Sequence, residues 1–195
     1  MDILPVLRKD SLIVVSSHNA ARDEIAALSA KLALHGPVTV LDGGNCFPFY
    51  RFARLIRSKT FEGAVAVKRL FIRRAFTCYQ MLELLSSSPA LDQPYLILNL
   101  LGTFYDEQIP EREIRRLLDT CLVEVNRLSM TAPVMISSSV ARTRPAVAII
   151  VTRTSGVSRI VRTSFWIRCR ANPGTKTFKS APLSPILTHL PGICW

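Results

Sequence analysis

Beyond Glu124 the chain has no acidic residue: all fourteen Asp and Glu lie in residues 1–124, and residues 125–195 hold ten Lys and Arg against none. At ordinary usage about one residue in eight is acidic, so an acid-free run of this length arises by chance on the order of once in ten thousand sequences. The chain therefore reads as two materials. Residues 1–124, with fifteen Lys and Arg, are nearly balanced and can fold, whereas the remainder is cationic and rich in Ser, Thr and Pro. Long apolar runs are also missing. None approaches the roughly eighteen residues of a transmembrane helix. The opening MDILPVLRKD puts an Asp ahead of its basic pair, against the charged-then-apolar order of a secretory signal. The five cysteines include no CxxC, and Cys/His pairs at ligand spacing are absent, which argues against a metal site. Reduced thiols in a cytoplasmic protein, with no membrane partner, are the expectation. A hydrophobic content of 49% excludes wholesale disorder.

What is present alternates. Leu12-Ile13-Val14-Val15 is a short apolar run that predicts a buried strand, followed by a polar loop, Ser16 to Asn19. Ala20 to Leu34 has apolar residues at Ile25, Leu28 and Leu32, which predicts a helix capped by Ser17 or Asn19, with Asp23 and Glu24 at its positive end. Gly36-Pro37 stops it, and Val38 to Leu41 is a second strand. Phe49 to Arg57 reads as a helix with Tyr50, Ala53 and Arg57 spaced along it, and Gly63 to Val67 through Phe71-Ile72 as an extended stretch. Arg74 to Gln80 leads into a helix ending near Leu85, and Tyr95 to Leu98 is a fourth, wholly apolar strand. Pro110 opens the clearest helix, Glu111 to about Met130, with Ile114, Leu117, Leu118, Cys121, Leu122, Val125 and Leu128 in one stripe. Pro133 to Ile136 is a fifth strand. Strands without polar alternation are buried on both faces, so the pattern predicts a mainly parallel sheet covered by helices. Beyond Ser139, Ala146–Val151 and Ile160–Ile167 are candidate strands, and from Asn172 on Pro and Gly predict loop or disorder.

In such a sheet ligands bind beyond the carboxyl ends of the strands. Those ends carry Ser16 to Ala20, Asp42 to Asn45, Arg73 to Gln80, Asn99 to Asp106 and Ser137 to Ser139. The run Val38 to Asn45, the Arg-Ala-Phe-Thr-x-x-Gln stretch at Arg74 to Gln80 and the segment Tyr95 to Asp106 resemble, in order and spacing, the core of the RecA/RadA recombinase family of ATPases. The strand Pro133 to Ser138 stands where that family has its next core strand, and the resemblance covers about residues 10–140. It implies a three-layer α/β RecA-like domain with a mainly parallel five-stranded sheet; it leaves residues 141–195 unmatched, and their composition predicts a poorly ordered basic extension.

The departures from the family pattern bear on function. The first strand-to-helix loop should read GxxxxGK[ST], whose amides cradle phosphates, whose Lys neutralises them and whose hydroxyl binds Mg²⁺. Here Ser16 to Asp23 reads Ser-Ser-His-Asn-Ala-Ala-Arg-Asp, with neither Gly nor Lys. The Mg²⁺-binding Asp expected at a strand end is replaced by Asn99, with Asp106 and Glu107 downstream. Joint loss implies a domain that no longer hydrolyses ATP, with ATP and Mg²⁺ disfavoured as cofactors and no catalytic or metal residues expected. Ser17, Asn19, Arg22, Asp42, Asn45, Asn99 and Asp106 are then candidates for a vestigial nucleotide site.

Each residue also has a plainer reading. Asp42 to Asn45 is a turn with flexible glycines, His18 a solvated loop residue, and Arg22 an anion ligand or a surface ion-pair partner. Asp106-Glu107 is a carboxylate pair or a helix-dipole partner. Cys78 and Cys121 fall among apolar neighbours as core. Arg73 and Arg74 face a nucleic-acid groove or solvate a helix start.

The basic extension has three readings. Arg153, Arg159, Arg162, Arg168 and Arg170, with Phe165 and Trp166 between them, combine charge with a stacking surface suited to DNA, single-stranded if any, or RNA. Alternatively the stretch is a solvated, disordered end, or the product of a shifted reading frame. The resemblance implies a noncatalytic protein of DNA repair or recombination, binding DNA, a recombinase partner or itself. An ATPase using Arg22 and Asp106, or a purely structural subunit, are the alternatives.

Overall fold

In the structure, a computed structural model, the described residues are 12–17, 19–105, 108–139 and 161–165; of Ser16 and of 161–165 only the backbone is described. Strand β1 (Leu12–Ser17) leads through helix α1 (Arg22–His35) to β2 (Val38–Gly43), α2 (Phe49–Arg57), α3 (Gly63–Lys68) and β3 (Leu70–Ala75). Helix α4 (Cys78–Ser86), β4 (Tyr95–Leu98), a 3₁₀ turn (Leu100–Phe104), α5 (Glu111–Ser129) and β5 (Val134–Ser139) follow, with β6 at Val161–Phe165. The strands form one sheet in the order β3-β2-β4-β5-β1-β6, and every pairing is parallel. The α/β expectation therefore holds.

The apolar strands are buried on both faces because alternate side chains feed two separate cores. Val14, Leu41, Ile97 and Ile136 pack with Met81 and Leu85 of α4 and Leu117, Cys121 and Val125 of α5. Ile13, Val40, Leu96 and Met135 point the other way, onto Ile25 of α1, Phe52 and Ile56 of α2 and Ala66 of α3. The period-2 geometry of a strand divides one continuous apolar run between the two layers. Two arginines fasten the helix ends. Arg69 donates to the carbonyls of Ala33 and Leu34 at the end of α1, and Arg127 to Leu85 and Ser88 at the end of α4, satisfying acceptors that a terminating helix leaves open. Burial pushes the Cys121 thiol up to about 12, which keeps it protonated and consistent with core packing. On the outer face of α5 the hydrogen bond from Arg116 holds the Glu113 carboxyl below its ordinary range.

Two expectations need correction. Gly63 to Val67 is helix α3, not an extended run; its Ala-Val alternation mimics a strand, but the helix turns Ala66 into the core and leaves Val65 exposed. The strand starts only at Leu70, after Arg69 has accepted the Val38 amide on its carbonyl. The first helix begins at Arg22 instead of Ala20, because Ala20 and Ala21 take left-handed conformations, φ 51° and 52°. The five strands expected over residues 10–140 are β1 to β5, and Val161–Phe165, inside the stretch Ile160–Ile167 that had strand character, pairs with β1 as a sixth. His18, Asp106, Glu107, Arg153, Arg159, Trp166 and Arg168, and the side chains of Arg162 and Phe165, lie outside the described residues, as does the rest of the basic extension.

Candidate functional site

The carboxyl edge of β1, β2 and β4 carries six of the seven candidate nucleotide-site residues, and five of them, Ser17, Asn19, Arg22, Asp42 and Asn99, hydrogen-bond within the loops and strand ends of that edge. The loop after β1 is short. The amide of Ala20 donates to the Ser17 carbonyl, that of Ala21 to the Ser17 hydroxyl, and that of Arg22 to the Asn19 carbonyl. Consecutive amides in a strand-to-helix loop are what an anion needs; here three are committed to the loop itself. Left-handed backbone costs a non-glycine residue about 1–2 kcal/mol, and burial of both Ala methyls offsets part of it, at about 0.8 kcal/mol per buried carbon. Neither proposed cap acts on the helix: Ala21 stands at the N-cap with no side-chain cap, Ser17 Oγ accepts the amide of Ala21 itself, and exposed Asn19 contributes only its carbonyl. Asp23 and Glu24 stand in the first turn of α1, and Asp23 pairs with Arg51 of α2 at 3.3 Å. Their charge opposes an anion at that helix start.

Asp42 is fully buried at the end of β2. Its Oδ1 accepts the Cys46 amide at 2.8 Å, its Oδ2 accepts the Phe47 amide at 3.0 Å, and Arg74 Nε lies 3.6 Å from Oδ2. Both oxygens are spent on clasping the loop that carries the chain from β2 into α2. Gly44 and Asn45 make the turn in between with φ 81° and 55°, and both are exposed. Asn99 follows β4 with φ 53°; its amide donates to Ser137 Oγ of β5 at 3.0 Å, and its Nδ2 lies 3.4 Å from the Gly43 carbonyl and 3.7 Å from Cys46 Sγ. Space for this side chain exists because position 102 is glycine: a Cβ there would fall 2.1 Å from Asn99 Nδ2. Arg22 completes the closure, its Nε donating to the Cys46 carbonyl at 2.6 Å.

Cys46 is thus the hub. Its amide, carbonyl and sulfur meet Asp42, Arg22 and Asn99 respectively. Sequence reading singled out Cys78 and Cys121 among the cysteines and gave Cys46 no role of its own, and it placed Gly102 and Ser137 only within their strand-end segments. The candidate nucleic-acid residues Arg73 and Arg74 are drawn apart. Arg73 donates to Ser87 and Ser88 at the end of α4, whereas Arg74 joins Asp42 at the carboxyl edge. Thr77 and Gln80, inside the Arg-Ala-Phe-Thr-x-x-Gln stretch, build a helix cap. Thr77 Oγ1 accepts the Gln80 amide and Gln80 Oε1 accepts the Phe76 amide, a variant of the capping box.

Compared with known proteins, the chain matches no family model and no curated relative is found. Among the described residues no cluster of three or more His, Cys, Asp or Glu is placed to hold a metal ion, and no helix is long and apolar enough to cross a membrane.

Proposed function

We propose that this chain is a noncatalytic RecA-like protein of DNA repair or recombination, binding single-stranded DNA or a recombinase partner without turning over nucleotide. The observation that carries the noncatalytic part is the commitment of the Ala20, Ala21 and Arg22 amides within their own loop. With those donors spent, and with Asn99 donating to Gly43 where a carboxylate would hold Mg²⁺, neither phosphate nor metal has a prepared partner among the described residues of these loops. The sheet order supports the RecA-like reading. The strands that the resemblance assigns to the two nucleotide motifs, β1 and β4, are separated by β5 alone and end on one edge. Arg22, which an unusual ATPase would need for phosphate, is held by the Cys46 carbonyl.

The net charge of +11 supports an anionic partner. Purified protein is expected to bind a labelled oligothymidine at low salt, with log affinity falling linearly in log salt by about 0.7 per phosphate contacted. Titration by fluorescence anisotropy over a salt series checks this. Affinity that ignores salt, or no binding at low salt, would remove the DNA reading.

A further inference from the structure

One surface outside the carboxyl-edge clasp has no explanation in the fold. From Gly43 to Phe61 the chain holds no acid, yet it carries Arg51, Arg54, Arg57 and Lys59. Helix α2 runs through this stretch. Phe52 and Ile56 are buried, which turns Tyr50, Arg54 and Arg57 outward as a stripe with spacings of four and three residues. Tyr50 is 81% exposed, and Phe61, just past the helix, is fully exposed. Arg51 is paired with Asp23, but Arg54, Arg57 and Lys59 are exposed and have no acidic partner among the described residues. Tyr50, Arg51 and Arg54 also line a groove with Asp23 and Leu55, between α1 and α2.

Part of this charge has a local reason. Arg54 and Arg57 sit in the last turn of α2, where cations complement the helix dipole. That accounts for neither the outward Tyr50 nor the outward Phe61. An aromatic face among unpaired guanidiniums matches one chemistry closely: bases that stack and phosphates that need neutralising. Duplex bases keep their faces stacked on each other, so the fit is to a single strand. A lipid surface fits less well, because the apolar side of α2 is already spent on Phe52 and Ile56. From Tyr50 to Arg57 the stripe rises about 10 Å.

We infer that the outer face of α2 is a binding site for single-stranded nucleic acid, with bases stacked on Tyr50 and phosphates on Arg54, Arg57 and Lys59. This deepens the DNA-binding part of the proposed function and rests on it. The residues are exposed, so their replacement leaves the core intact, and unchanged urea midpoints verify that. In the full chain, Tyr50→Ala is expected to weaken oligothymidine binding about tenfold. The triple change Arg54→Ala, Arg57→Ala, Lys59→Ala is expected to lower the salt slope by about 2, and ultraviolet irradiation of the complex should cross-link Tyr50 to thymine.

Wild-type slope and affinity in the triple variant, with the intact chain still binding, would overturn the α2 site and leave the proposed function standing. Failure of the intact chain to bind oligothymidine at low salt would overturn the α2 site and the DNA-binding part of the proposed function together. Tighter binding to duplex than to single strand, or α2-dependent binding to phosphatidylserine vesicles that oligothymidine does not displace, would also reject the single-strand assignment.

Discussion

Asp42→Ala is expected to destabilise the protein by about 3–5 kcal/mol, since hydrogen bonds to a charged group contribute about 1.5–3 kcal/mol each. Two such bonds are at stake, to the Cys46 and Phe47 amides, and the carboxylate that makes them is fully buried. Replacement leaves both amides without their acceptor and frees the loop that fixes where α2 begins. A domain has only about 5–15 kcal/mol in total, so much of the variant will be unfolded under mild stress. A fall in melting temperature of roughly 10 °C is expected at this chain length. Arg74→Ala is the control. Its side chain is 46% exposed and its contact to Asp42 is 3.6 Å, so solvent screens the pair and the change should cost less than about 1 kcal/mol. Calorimetry of the two variants checks the contrast. Equal losses would mean that the ion pair, and not the amide clasp, is what Asp42 contributes.

Gly43→Ala carries the second large effect. A Cβ at Gly43 would lie 2.7 Å from the Asn99 carbonyl oxygen and 3.0 Å from that of Leu98, both backbone atoms of the neighbouring strand end, and 3.0 Å from Met81 Cε. Backbone cannot swing aside as a side-chain tip can, so β2 and β4 must separate where Asn99 joins them. Overpacking typically costs about 1–3 kcal/mol; with two rigid backbone contacts the upper end, about 3 kcal/mol, is expected. Gly36→Ala separates this clash from a general effect of removing glycine. At Gly36 φ is −176°, extended backbone open to any residue, and a Cβ would meet nothing within 4 Å. That variant should stay within about 0.5 kcal/mol of wild type, because a compatible Gly→Ala change is neutral to mildly stabilising. Urea denaturation of both variants gives the comparison, and similar losses at positions 36 and 43 would contradict the close approach of β2 and β4.

Much of the fold was legible because burial on both faces writes a plain pattern. Leu12 to Val15, Val38 to Leu41, Tyr95 to Leu98 and Val134 to Ile136 carry no polar interruption apart from Thr39, and all became neighbouring parallel strands. Helix α5 was legible for the opposite reason, since its nineteen residues give the 3.6-residue period room to show. Helix α3 has six residues, too few for a period, and its Ala-Val alternation imitates a strand. The sequence also located the carboxyl-edge residues, because strand ends are readable once strands are. It did not reveal where their side chains turn. Asp42 reads as a polar group beside flexible glycines, and only three-dimensional closure shows it bound to amides four and five residues on. Thr77 and Gln80 were legible as a capping pair by their spacing, yet drew attention through family likeness. The α2 stripe was missed because Tyr50 and Arg57 were weighed by spacing alone, and the burial of Phe52 and Ile56 decides which face is outward.

On the proposed noncatalytic reading, the loop after β1 keeps its amides for itself and the chain turns over no nucleotide. Steady-state turnover of Mg²⁺·ATP by the intact purified chain, with saturating oligothymidine present, tests it most directly. The account predicts release of phosphate no faster than from buffer alone. Turnover above that level, abolished by Asp106→Ala, would contradict it.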